Sequence, residues 1–116
     1  MVATITASNG NSFRCLVWPD TGADCCLFPL SIAIALKIDV LSLPQHLTGG
    51  VGSQSNMTYY DTVTIDLGNG IAFSAYTGFT QGMDAQGWGL LGQQDFFSGF
   101  HVEFKHALRH FTIETI

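Results

Sequence analysis

The stretch Leu16-Val17-Trp18-Pro19-Asp20-Thr21-Gly22-Ala23-Asp24 carries an apolar run straight into an acid, and a hydroxyl residue and a glycine follow at once. An acid in that place sits where a strand leaves the core. Gly22 permits a tight turn with close backbone approach, and Thr21 can hydrogen-bond to a neighbouring loop. Asp-Thr-Gly is also an ordinary turn sequence, so its meaning depends on what flanks it.

Outward from this point, apolar and polar residues alternate with a period of two, the signature of half-buried strands. Residues 3–7 and 13–17 alternate across Ser8-Asn9-Gly10-Asn11-Ser12, which predicts a hairpin. In residues 61–67, Val63, Ile65 and Leu67 alternate with Thr62, Thr64 and Asp66; Gly68-Asn69-Gly70 then turns the chain into a strand over 71–79. Residues 101–105 and 111–116 predict a third hairpin. Two short helices interrupt the strands. One follows Pro29 over 30–38, apolar on nearly every side and so expected to be largely buried; the other covers 93–98 and is closed by Gly99. The chain reads as a single mostly-β domain over residues 1–116, with no repeat, linker or low-complexity segment.

Composition narrows the possible functions. With 47% apolar and 11% charged residues among 116, the chain is not of a disordered type and can bury about two thirds of its unfolded surface. Nine acids against four bases give a net charge of −5, and Arg14, Lys37, Lys105 and Arg109 form no run. Nucleic-acid binding rests on neutralised phosphates, so no nucleic-acid partner is expected. Polar residues break every apolar stretch well short of a membrane span, and Met1-Val2-Ala3-Thr4-Ile5 lacks the basic head and apolar run of a signal peptide. Cys15, Cys25 and Cys26 are odd in number, which suits reduced thiols in a cytoplasmic protein.

Three motifs in order give the opening stretch its significance. Asp20-Thr21-Gly22-Ala23-Asp24 resembles the catalytic loop of the retropepsin-like aspartic proteases. Leu90-Leu91-Gly92 resembles their second signature, two apolar residues and a glycine opening a short helix. Between the two, Leu47-Thr48-Gly49-Gly50-Val51-Gly52-Ser53-Gln54 resembles the glycine-rich flap. The resemblance covers most of the chain. It implies a closed or partly open β-barrel of the retropepsin type, with one short helix after the catalytic loop and one near the C-terminal half. It also implies an aspartic endopeptidase acting on a peptide or protein, without cofactor or metal. On this resemblance Asp20, Thr21 and Gly22 are the catalytic residues: Asp20 activates water, Thr21 ties the loops of two subunits together, and Gly22 presents its carbonyl to substrate. Ala23, Asp24, Gly49, Gly50, Val51, Gly52 and Leu90 would contact substrate, with the 49–52 stretch closing over it as a lid.

The chemistry explains why such parts belong together. Peptide hydrolysis needs a base to activate water and an acid to protonate the leaving group, and two carboxylates sharing one proton supply both. Such a pair titrates as a unit. Asp-Thr-Gly occurs once in this chain, and Asp39, Asp61, Asp66, Asp84, Asp95, Glu103 and Glu114 lie in no second copy of the loop. A two-acid site therefore requires a homodimer with Asp20 of each subunit on a two-fold axis. Several positions depart from the retroviral pattern. Pro19 precedes the acid, and Ser53 stands where a further flap glycine is common. Gln93 replaces the arginine that pairs with the acid at the position of Asp24. The long 101–116 tail resembles the cellular and bacterial relatives. The alternative these departures favour is a catalytically inactive binding or dimerisation module of the same fold.

Other residues read more simply. His106 and His110 are four apart, but at a hairpin tip that spacing does not align metal ligands, and no metal site is expected. Cys25 and Cys26 lack an adjacent base that would make either a nucleophile. The 49–53 glycines lack the Lys-Ser/Thr ending of a phosphate loop.

Overall fold

The strands of the computed structural model, which describes residues 1–49, 55–105 and 110–115, are β1 (Val2–Thr6), β2 (Ser12–Pro19), β3 (Leu27–Pro29), β4 (Gln45–Gly49), β5 (Ser55–Gly68), β6 (Ile71–Thr80), β7 (Gly89–Leu91), β8 (Phe100–Lys105) and β9 (His110–Thr115). The three expected hairpins are present as β1–β2, β5–β6 and β8–β9, all antiparallel. Period two does what it should: Ala3, Ile5, Cys15 and Val17 turn inward and are buried, while Arg14, Leu16 and Trp18 face out. The 68–70 turn is built from three consecutive left-handed residues, Gly68 (φ 81°), Asn69 (φ 55°) and Gly70 (φ 79°). Residues of that type reach this region at low cost.

These hairpins close into a six-stranded barrel in the order β1, β2, β7, β3, β6, β5 and back to β1. Closure depends on the length of β5. Its 14 residues serve two partners along one edge, β4 through residues 55–59 and β1 through Thr64, Ile65 and Asp66. The barrel interior holds Ile5, Val17, Phe28, Ile65, Phe79, Leu91 and Phe96, all fully buried. Phe100, at the start of β8, packs its ring on Phe73 (centroids 5.3 Å) and Phe96 (5.7 Å), which ties the third hairpin to the core. The tip of that hairpin, with His106, lies outside the described residues.

α1 (Leu30–Ala35) starts after Pro29 as expected but ends before residue 38. The amide of Ile38 donates to Ala33 O (3.1 Å) and that of Lys37 to Ile34 O (3.0 Å), while Lys37 turns left-handed at φ 58°. This is a Schellman stop made without glycine. Asn9 and Asn11 each donate a side-chain amide to Leu36 O at 3.0 Å, so the first hairpin turn holds the helix end. Burial of the helix is also narrower than expected. Ile32, Ala33 and Leu36 are buried, but Ile34 is 62% exposed, because six residues on a barrel surface offer only one side to it.

The second expected helix is a short segment, Gln93–Phe97, with wide i→i+5 hydrogen bonds from Phe97 to Gly92 O (3.2 Å) and from Ser98 to Gln93 O (3.0 Å). It is not regular: Gln94 is extended (ψ 132°) and Asp95 is left-handed (φ 71°). The Asp95 carboxylate accepts the Tyr76 amide of β6 at 2.9 Å, and its own amide donates to the Ser98 hydroxyl at 3.1 Å. The turn bends to reach β6, and local helix propensity yields to that contact. Among the described residues no helix is long and apolar enough to cross a membrane.

Candidate active site

β2 delivers Asp20. β2 and β7 run parallel, with Trp18 opposite Leu90 and Pro19 opposite Leu91, and one more bond, Asp20 N–H to Leu91 O at 2.9 Å, carries the ladder one residue past the strand. Pro19 costs this ladder nothing. Strand amides alternate sides, and Val17, two residues earlier, donates toward β1 at Met1 O (2.8 Å). The missing donor of Pro19 therefore belongs to the β1 side, away from β7.

After Asp20 the chain makes a β-turn closed by Ala23 N–H to Asp20 O at 3.1 Å. Within it the Gly22 amide donates to Asp20 Oδ1 at 2.8 Å, an Asx turn that fixes the carboxylate relative to its own loop. The carboxylate is half-buried, and Thr21 and Gly22 are exposed. Among the described residues the Thr21 hydroxyl has no intrachain partner.

The loop is clasped from the other side by the segment after β7. Gln93 N–H donates to Ala23 O and Gln94 N–H to Asp24 O, both at 2.9 Å. The Gln93 side-chain amide donates to Thr21 O at 2.9 Å. Gly92 makes the approach possible: a β-carbon there would lie 2.3 Å from the Cys25 carbonyl oxygen and 2.8 Å from Ala23 O. The two motifs, far apart in sequence, thus form one structural unit, because β7 is inserted between β2 and β3.

An apolar row on the outer face of the barrel leads up to this loop. Trp18, Leu90 and Leu27 are cross-strand neighbours on β2, β7 and β3; Trp18 is 48% exposed and the two leucines are half-buried. Leu27 pairs with Gly78, and Gly78 with Tyr60. A β-carbon at Gly78 would come within 2.8 Å of Leu27 Cδ2 and 3.2 Å of Tyr60 Cε1, so these side chains close over the glycine and continue the row. Tyr76 stacks on Tyr60 (centroids 5.5 Å) and His46 meets it edge-on (5.8 Å). Burial, then the nearby Cys25 and Tyr76, push the Tyr60 hydroxyl above its ordinary range.

Of the residues singled out from the sequence, Asp20, Thr21, Gly22, Ala23, Asp24 and Leu90 come together here. Ala23 is buried, with its amide and carbonyl both bonded within the chain. Asp24 is exposed, and Gln93 turns its side chain to Thr21 O instead of to Asp24. Gly49 ends β4 opposite Ser55, so the expected flap is a β4–β5 hairpin at its base. Gly50, Val51 and Gly52 lie outside the described residues. The sequence reading missed Leu27, Tyr60, Tyr76 and Asp95. Strand parity alone puts Tyr76 and Gly78 on one face, but only the pairing of β3 with β6 and β7 sets Gly78 in one cross-strand row with Leu27, Leu90 and Trp18.

Cys15 and Cys26 are buried free thiols, each pushed up to about 11 by burial. Cys25 is half-buried and also raised, chiefly by burial, against a backbone hydrogen bond from Gly78 that lowers it. With thiols held protonated, the native protein at about pH 8 should react with a disulfide reagent at Cys25 first. Cys15 and Cys26 should be slower by about 100-fold or more until the chain is unfolded. Mass mapping of the labelled positions against time checks the order; equal rates at all three would contradict the burial argument.

The fold and loop define a mostly-β protein with a closed six-stranded barrel and an Asp-Thr-Gly turn clasped by a Leu-Leu-Gly strand end. Compared with known protein families, curated proteins and solved structures, the chain gave no match.

Proposed function

We propose that this chain is an aspartic endopeptidase of the retropepsin type. In this reading it works as a homodimer that hydrolyses peptide bonds with water activated by Asp20 from each subunit. The observation that carries the reading is the Asp20 turn itself: a carboxylate anchored by the Gly22 amide at 2.8 Å, at the end of an apolar row that suits the side chains of a bound peptide. One such carboxylate can serve as base or as acid, and a second copy supplies the other role. The exposed Thr21 hydroxyl is free to bond across the dimer axis, and Gly22 lies open to substrate backbone. Three free thiols agree with a cytoplasmic location.

Sedimentation equilibrium at micromolar protein, paired with a peptide-library digest at acidic pH, tests the proposal. A dimer that cleaves between apolar residues is expected. A strict monomer with peptidase activity would overturn the shared dyad, and a dimer with no activity would leave the binding or dimerisation module as the reading.

A further inference from the structure

We propose that Gln93 is a positioning residue that holds the Asp20 carboxylate through the Thr21–Gly22 peptide unit; its kinetic consequence rests on the proteolytic reading above. The two relevant bonds sit at opposite ends of one planar group. The Gln93 side-chain amide donates to Thr21 O at 2.9 Å, and the N–H of the same peptide unit, on Gly22, donates to Asp20 Oδ1 at 2.8 Å. A trans peptide points its carbonyl and its N–H in opposite directions, so fixing one end fixes the aim of the other. Donation to the carbonyl also polarises the unit and strengthens what its N–H gives. Thr21 O can only accept, so the amide nitrogen of Gln93 must face it.

The arrangement is braced at its base. The Gln93 backbone amide is bound to Ala23 O at 2.9 Å and its carbonyl accepts from Ser98 at 3.0 Å. The side chain therefore starts from a fixed point and gives up less freedom in reaching Thr21. Among the described residues Thr21 O has no other donor, so without Gln93 the carbonyl end of the peptide unit is unanchored and only the Gly22–Asp20 bond and the Ala23–Asp20 turn bond hold it. Asp24 is exposed nearby and Gln93 does not engage it, so this side chain serves the loop of its own subunit.

The test uses the full chain, labelled with nitrogen-15, as wild type, Gln93→Met and Gln93→Glu. Both substitutions keep the length of the side chain, and neither offers a donor at neutral pH. In both, the Gly22 amide proton should move upfield and exchange about three- to tenfold faster, the loss of one ordinary hydrogen bond, with Tm lowered by no more than about 6 °C and the fold kept. On a peptide the wild type cleaves, kcat should fall about tenfold while KM stays within about twofold, as expected when an acid is misaimed and substrate contacts are kept. A Gly22 amide in Gln93→Glu identical to wild type would overturn the proposal. So would a rise in KM matching the loss, since that would make Gln93 a substrate contact. If the wild type cleaves nothing, the proteolytic reading fails, and the Gly22 amide still decides whether Gln93 positions Asp20.

Discussion

On the proposed reading as a proteolytic homodimer, Asp20→Asn should abolish peptide cleavage while leaving the fold and the dimer in place. The substitution keeps size and shape, and the asparagine oxygen can still accept the Gly22 amide that Asp20 Oδ1 accepts at 2.8 Å, so the turn survives. What disappears is the ability of two apposed groups to hold one proton between them, one as acid and one as base. General acid–base catalysis contributes about 100- to 10,000-fold, and kcat/KM should fall by at least that much because both subunits lose their acid together. Two amides carry no like charges to repel each other, so sedimentation should show the dimer kept or tightened. Measured activity near wild type would place the chemistry elsewhere.

Gly92→Ala should be the most damaging single-methyl change at the site. Gly92 has φ −107° and ψ −171°, a conformation any residue adopts, so no backbone preference demands glycine there. The demand is spatial. The added β-carbon would meet Cys25 O at 2.3 Å, Cys25 C at 2.5 Å and Ala23 O at 2.8 Å, all of them main chain that cannot rotate aside. Relief requires the 92–94 segment to retreat from the loop, which breaks the bonds of Gln93 to Ala23 and of Gln94 to Asp24. A loss of about 3 kcal/mol or more is expected, read from the urea midpoint. Gly87→Ala is the contrast: φ is 74° but nothing lies within 4 Å, so only the left-handed backbone is strained and the loss should be about 1 kcal/mol. Equal losses at the two positions would show that packing against the Asp20 loop is not what fixes Gly92.

The hairpins were legible because their information is local. Val63, Ile65 and Leu67 alternate with polar neighbours, and Gly68-Asn69-Gly70 has the residues that a left-handed turn requires. Strands β3 and β7 were not legible from pattern. Each has three residues, too few to display a period, and each exists because neighbouring strands supply its hydrogen bonds. The start of β5 was hidden too, since Ser55 to Tyr60 mixes polar and aromatic residues without clean alternation. The helix expected over 93–98, closed by Gly99, is distorted because Asp95 gives its carboxylate to the Tyr76 amide.

By itself the sequence determined the mostly-β character, the three hairpins, the start of α1 and the Asp20-Thr21-Gly22 turn, because side-chain alternation and turn chemistry act over a few residues. Only the tertiary structure decided that β7 lies between β2 and β3, that β5 returns to β1 and closes the barrel, and that Gly92 and Gln93 clasp the Asp20 loop. Those pairings join residues up to about seventy positions apart. Burial and backbone hydrogen bonding of the whole chain select them, and no local pattern encodes which strand will lie beside which.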